Sequence, residues 1–291
     1  MTNEAATFKS AALYWLALGA FAVGTEGFMI AGILPRLAAD LSVSPAAAGH
    51  LVTAFALAYA DQAGAVIRHY RDFMTTAPDE LTAYAGVISM PNGMPAVGLM
   101  ACYCGDPADG ERVLKPLRAF GSPVLDAIQP MPFPIMQKLA GDLSPDGTHN
   151  YVKSTFLKEL SDEVIDLIVE HGNRAQSPLS RIVIQFFGGA VGRVGQADTA
   201  FAQRQAEFNI GIESEWIDPT ESEKHIGWTR TLSDALKPHS SGGYLLNFLG
   251  GEEIDAVRAA FGSNHARLVE LKTQYDPTNF FSLNQNVAPK R

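Results

Sequence analysis

The sequence predicts an α+β fold: an antiparallel sheet with helices packed on one side, preceded by one full and one truncated transmembrane-type helix. Three observations carry this expectation. Strand-like and helix-like runs do not alternate as parallel βαβ units would, which favours antiparallel pairing with helices segregated to one face. Ala83–Ser89 and Ala96–Cys104 flank a Pro-Asn-Gly turn at Pro91–Gly93 and read as a β-hairpin. Ahead of them, Ala11–Leu34 is a run of 24 residues whose one charge is Glu26, long enough to cross a hydrocarbon core of about 30 Å.

The amino-terminal part is membrane-like. Tyr14 and Trp15 suit one bilayer interface, and Arg36 follows the other end. Gly19, Gly24, Gly27 and Gly32 are the small surfaces used by packed membrane helices. A signal peptide competes with this reading, but the run is too long, its leader holds one Lys, and no small-x-small cleavage site follows. Asp40–Pro45 reads as a loop and helix start, and Ala46–Ala60 as a second apolar helix that stops short at Asp61, Gln62, Arg68 and His69.

From residue 61 the pattern changes to that of a soluble α+β domain. Gln62–Thr75 has Val66, Ile67, Tyr70 and Phe73 at helical spacing. After the hairpin, Asp106–Gly110 reads as a polar turn, Glu111–Phe120 as a helix, Pro130–Pro134 as an irregular loop, and Ile135–Leu139 as a short helix. Lys153–Leu157 reads as a strand, and Ser161 can cap a helix over Asp162–His171. Arg181–Phe187 is apolar on both faces except at Gln185, as a central strand would be. Ala206–Trp216 reads as a long strand, and Asp218-Pro219-Thr220-Glu221 opens a helix to about Leu236. Tyr244–Leu249 is expected as a strand, with helices over Glu253–Phe261 and Ala266–Tyr275. The domains expected are therefore residues 1–60 and 61–291.

The 291 residues carry a formal net charge of −9, which argues against a phosphate-tracking nucleic-acid partner. Cys102 and Cys104 are the two cysteines, neither a disulfide framework nor by themselves a metal site. They fit a reducing cytoplasmic setting for the soluble domain. The chain is expected to be membrane-associated if residues 11–34 insert. The glycines of Phe186–Val194 lack the strand-to-helix context of a dinucleotide loop, and no phosphate role is assigned to them.

The carboxyl-terminal stretch Tyr275–Pro289 alternates Phe280, Phe281, Leu283 and Val287 with the amides Asn284, Gln285 and Asn286. It reads either as an apolar clamp whose amides meet a flat heteroaromatic ligand, or as a pinned tail with local amide bonds. The pattern FGxNxxRLxxLKxxYDPTNFFxLNQNxxP resembles the carboxyl-terminal signature of berberine-bridge-enzyme-like FAD-linked oxidases. The resemblance extends back over 61–291 through Tyr70–Phe73, Ala77–Gly86, Cys104–Gly121, Asn150–Leu157, Phe186–Val194 and Gly242–Gly250. Separately, Gly24–Ala60, within residues 10–60, resembles the opening of major-facilitator drug/proton antiporters.

The flavoprotein resemblance implies FAD, a small-molecule substrate, and a separate FAD-binding domain whose Gly-rich loop and flavin-linking His and Cys have no counterpart here. It implies Tyr244 as a catalytic base, which by residue type alone is equally a buried strand tyrosine. Asn284 and Asn286 are implied near the flavin, and Tyr151, Gln185 and Asn247 around the substrate. Arg193 falls near a catalytic Glu of plant members and cannot replace it as a base. Gln203, Val152 and Ser282 stand where His, Trp and Arg are frequent. The function expected is that of an incomplete FAD-dependent oxidoreductase, inactive alone. The alternatives are a membrane-anchored transporter remnant or a non-functional fused reading frame.

Overall fold

The computed structural model describes residues 50–59, 62–90, 93–132, 144–249, 254–283 and 285–290. The proposed membrane helix Ala11–Leu34 and the short helix Ile135–Leu139 lie outside them. Among the described residues, no helix is long and apolar enough to cross a membrane.

Seven strands form the frame: β1 His50–Tyr59, β2 Leu81–Ser89, β3 Pro95–Tyr103, β4 Leu125–Pro132, β5 His149–Leu157, β6 Arg181–Phe186 and β7 Phe208–Trp216. They make one sheet in the order β4-β1-β3-β2-β6-β7-β5, and every neighbouring pair is antiparallel. The helices are α1 Ala63–Met74, α2 Pro107–Ala119, α3 Asp162–Gly172, the short α4 Ala190–Arg193, α5 Ser222–Leu236, α6 Ile254–Phe261 and α7 His265–Tyr275.

The principal core shows why helices gather on one face. Alternate residues of the inner strands point the same way. Ala85 and Val87 of β2, Val97 and Leu99 of β3, Ile182 and Ile184 of β6, and Ile210 and Ile212 of β7 are buried in one cluster. Against them lie Ile67 and Tyr70 of α1, Leu114 and Leu117 of α2, Ile165 and Ile168 of α3, and Trp228 and Leu232 of α5. The Tyr70 hydroxyl donates to Ala83 O at 2.8 Å, which satisfies the one polar atom that α1 carries into this layer. Burial raises its pKa.

Local signals place the helix starts. The Asp106 carboxylate accepts from the Ala108 N–H, so α2 begins inside the stretch expected as a turn. Ser161 Oγ accepts from the Val164 N–H and the Asp218 carboxylate from the Thr220 N–H, both as their cap positions predict.

Several expectations need correction. Residues 50–59, expected within the truncated transmembrane-type helix Ala46–Ala60, form β1, which pairs with β3 on one side and β4 on the other. A short apolar run fits a buried strand as well as a buried helix, and two available strand partners decide it here. β4 takes in Pro130 and Pro132 of the expected loop, tolerated because β4 is an edge strand. Tyr244–Leu249 is not a strand. It contains the 3-10 turn Leu246–Phe248, closed by the Phe248 N–H donating to Leu245 O at 2.9 Å. Phe280, Phe281 and Leu283 are 79%, 50% and 88% exposed.

Ile168 is fully buried between helix layer and sheet. Ile168→Ala should cost about 2–5 kcal/mol of stability, read as a lower urea midpoint with the slope unchanged. A loss below about 1 kcal/mol would mean that α3 does not form part of the core.

Candidate functional site

The helix-free face of the sheet carries a cross-strand row set by the register. Phe156 of β5 opposes Asn209 of β7, Asn209 opposes Gln185 of β6, Gln185 opposes Tyr84 of β2, and Tyr84 opposes Met100 of β3. Asn209 Nδ2 donates to Gln185 Oε1 at 2.8 Å. Both amides are buried, Asn209 completely, and Asn209 Oδ1 has no hydrogen-bond partner in the structure. At the β5 end a smaller aromatic cluster covers this face, with Phe156, Ala206 and Leu245 packed by Phe187, Phe201 and Phe248. Gly211 lets this cover pack closely: a Cβ on it would come within 3.3 Å of the Phe248 ring.

Two residues along from Gly211, Glu213 lies on the same face opposite Arg181. Arg181 Nε meets Glu213 Oε2 at 2.5 Å and Arg181 Nη1 meets Glu215 Oε2 at 3.2 Å. Ser144 and Thr148 hydroxyls donate to the two Glu215 oxygens at 2.9 and 2.7 Å. The Glu215 carboxylate thus accepts from Arg181, Ser144 and Thr148 and ties the 144–148 segment to the sheet. Burial pushes the Glu213 carboxyl above the usual range, against the pull of Arg181.

A second feature is a cleft of about 130 Å³ at the edge strand β5, between α5 and the 244–249 turn. Tyr151 and Tyr244 line it together, beside Lys237, Asp234 and Ser154. The Tyr151 hydroxyl accepts from Arg230 Nε at 3.2 Å, and the Arg230 guanidinium also lies 5.4 Å from the ring centre. Ser154 Oγ accepts from the Leu245 N–H at 3.3 Å, which fixes the turn that carries Tyr244. The Asp234 carboxylate accepts from Lys237 Nζ at 2.7 Å and raises the pKa of that ammonium. The cleft is smaller than the roughly 300 Å³ at which drug-sized pockets begin.

The structure therefore brings Tyr151 and Tyr244 together and puts Gln185 elsewhere, in the amide pair. Asn247, which the resemblance implied near the substrate, is exposed on the 3-10 turn and does not line the cleft. Asn286 is half-buried on the carboxyl-terminal segment, and Asn284 lies outside the described residues. Beside Asn286, Gln285 Nε2 donates to Leu249 O at 2.8 Å, binding this segment to the Tyr244 turn. Asp276 fastens its start by accepting from Lys272 Nζ at 2.5 Å and from the N–H groups of Phe280 and Phe281. Of the departures from the family pattern, Arg193 pairs with Asp79 on the surface, Gln203 donates to Ala259 O and Ala260 O of α6, Val152 lines the cleft, and Ser282 is exposed.

Sequence reasoning missed Asn209, Glu213 and Lys237. Strict alternation within Phe208–Trp216 could have put Asn209 and Glu213 on the face opposite Ile210 and Ile212. Lys237 could not have been found this way, since its proximity to Tyr244 is tertiary.

The antiparallel sheet with helices on one face matches solved structures of berberine-bridge-like proteins and FAD-type oxidases. The solved structure of 6-hydroxy-D-nicotine oxidase from Arthrobacter nicotinovorans superposes with a TM-score of 0.70 at 20% identity, over 83% of this chain and 55% of that one. BBE-like #28 from Arabidopsis thaliana gives 0.69 at 20% identity, over 83% and 57%. In sequence, residues 244–288 match the family described as "Berberine and berberine like". An FAD-linked oxidoreductase of Dictyostelium discoideum is 30% identical over 216 residues, 73% of this chain and 46% of the relative. The tetrahydroberberine oxidase of Berberis wilsoniae is 26% identical over 163 residues, 50% of this chain and 31% of the relative. The chain thus spans about half the length, or less, of these curated relatives. None of these matches is to a transporter.

Two outcomes test this geometry. Asn209→Ala should cost about 1–3 kcal/mol, because it leaves Gln185 Oε1 buried without its donor. In a double-mutant cycle with Gln185→Ala the penalties should fall short of additivity by at least about 0.5 kcal/mol, and strict additivity would disprove the pair. Glu213 holds its proton more tightly folded than unfolded, so the native state carries the extra proton and stability falls as pH rises from the ordinary carboxylate value near ~4.3. Glu213→Gln should remove that fall, so its stability relative to the unsubstituted chain should improve from about pH 4 to pH 7. Urea midpoints across that range measure it, and parallel curves would contradict the assignment.

Proposed function

We propose that this chain supplies the substrate-side half of an FAD-linked oxidoreductase acting on a small molecule, and that it needs further protein surface to hold FAD and turn over. The observation that carries the reading is the helix-free sheet face with its polar row. The edge cleft and the family-matched segment 244–288 adjoin it.

In this reading the described residues do not by themselves make the FAD site. Gly188 and Gly189 lead into a four-residue helix, α4, and Gly192 lies within it. A Cβ on Gly188 would strike the Phe186 ring, so that glycine serves close packing, and Gly189 serves a positive φ. The 130 Å³ cleft is too small for a dinucleotide. A flavin accepts a hydride equivalent, which no side chain of this chain can do. The exposed Phe280, Phe281 and Leu283, inside the matched segment, support a second surface that covers them.

In this reading Tyr244 is the group that takes a proton from the substrate, with Tyr151 as the aromatic wall beside it and Lys237 as the neighbouring positive charge. Gln185, held by Asn209, is a polar contact on the sheet face, and Asn247 is a contact at the rim. Asn284 and Asn286 are the amides assigned to the flavin's edge.

The test is the flavin content of the purified chain before and after incubation with excess FAD. After desalting, well under one flavin per chain should remain. One reducible flavin per chain would overturn the need for further protein surface. The same chain mixed with the FAD-binding part of a relative should retain flavin, and failure to do so would count against the flavoprotein reading itself.

A further inference from the structure

Cys102 and Cys104 are the chain's two cysteines, and neither is in a disulfide. They flank Tyr103, the last residue of β3. The Cys104 N–H donates to Glu80 O at 2.8 Å, one step beyond the pairing of Cys102 with Thr82. The backbone is therefore extended through both, and residues two apart on an extended chain project from one face. Val97, Leu99, Ala101 and Tyr103 take the face covered by helices, which leaves the two cysteines on the helix-free face. Their sulfurs lie 4.0 Å apart.

This spacing excludes a disulfide and suits an ion. Two rises of about 3.3 Å separate the Cβ atoms by about 6.6 Å, whereas a disulfide holds its Cβ atoms about 3.5–4.5 Å apart. With metal–thiolate bonds of about 2.3 Å, sulfurs 4.0 Å apart meet one ion at an S–metal–S angle of about 120°, which is trigonal coordination.

We propose that Cys102 and Cys104 form a Cu(I) site, in which both thiolates bind one ion and a small thiol from solution takes the third position. Each cysteine gives its proton to solvent, and the ion replaces the S–H···S contact between them. Thiolates are soft donors that select Cu(I) and Zn(II). Zn(II) takes three or four protein ligands, and among the described residues no three His, Cys, Asp or Glu side chains come together to hold a metal. Cu(I), monovalent with a filled d shell, is satisfied by two or three sulfur donors. The exposures of the pair assign the two roles. Cys104 is open to solvent, so the ion enters there and the third donor has room. Cys102 is 9% exposed and holds the ion against the sheet.

The proposal does not rest on the flavoprotein reading and can be tested on the full chain. Reduced protein is titrated without oxygen with Cu(I), kept reduced by ascorbate, against the chromogenic chelator bathocuproine disulfonate. One copper per chain should be withheld from the chelator, on a protein that stays monomeric. X-ray absorption should show only sulfur neighbours, at about 2.3 Å. In Cys104→Ala, a change at an exposed position that leaves the core intact, the copper should pass to the chelator. Cys102→Ser should behave in the same way, and alkylating Cys104 of the unsubstituted chain with iodoacetamide should abolish binding without any substitution. Failure of the unsubstituted chain to withhold copper would overturn the proposal. So would full retention by either variant, nitrogen or oxygen ligands on the bound ion, or copper shared between two chains.

Discussion

Burial of one face of a seven-stranded antiparallel sheet is the constraint on which the rest of this structure depends. The contiguous Ile182, Ile184, Ile210 and Ile212 surface, and the helices that cover it, consign the alternate residues of the same strands to the opposite face. Asn209, Gln185, Glu213 and Arg181 are there for that reason. Register does the remaining positioning, because a shift by one residue would exchange the two sets. The polar row is thus a consequence of how the core is made.

The opposite face is managed in two ways. Near β5 an aromatic cluster and the 244–249 turn cover it, and the buried amides and carboxylates there are paired with one another or with Arg181. Pairing is obligatory, since an unpaired buried polar group costs about 1–3 kcal/mol. Asn209 Oδ1 stands out because it departs from this rule. At the β5 edge, Ser154 and Gln285 use side-chain hydrogen bonds to anchor the turn and the carboxyl-terminal segment to each other's neighbourhood. The family-matched residues therefore include Tyr244, Phe248 and Leu249, which line the cleft together with Tyr151.

Legibility in the sequence followed the range of the interactions. α1, α3, α5 and the β2–β3 hairpin were readable because caps, turn residues and periodicity act within a few residues. β1 was misread as a membrane-type helix because an apolar run does not say whether its backbone will pair with itself or with neighbours. The Tyr244 segment was misread as a strand for a related reason. Its alternation is real, but Gly242 and Gly243 adopt positive φ just before it and the chain closes a 3-10 turn instead of joining β5. Of the site, Tyr151, Tyr244 and Gln185 were named from family resemblance, while Asn209, Glu213 and Lys237 were not.

The sequence by itself determined the α+β class, the helix starts at Ser161 and Asp218, the central position of β6 and the resemblance carried by residues 261–289. Each rests on local chemistry or on a contiguous motif. Tertiary structure alone decided that 50–59 completes the sheet, that Tyr151 and Tyr244 share a cleft while Gln185 is held apart by Asn209, and that Phe280, Phe281 and Leu283 face outward. These are contacts between segments tens to more than a hundred residues apart, and strand register and available partners set them.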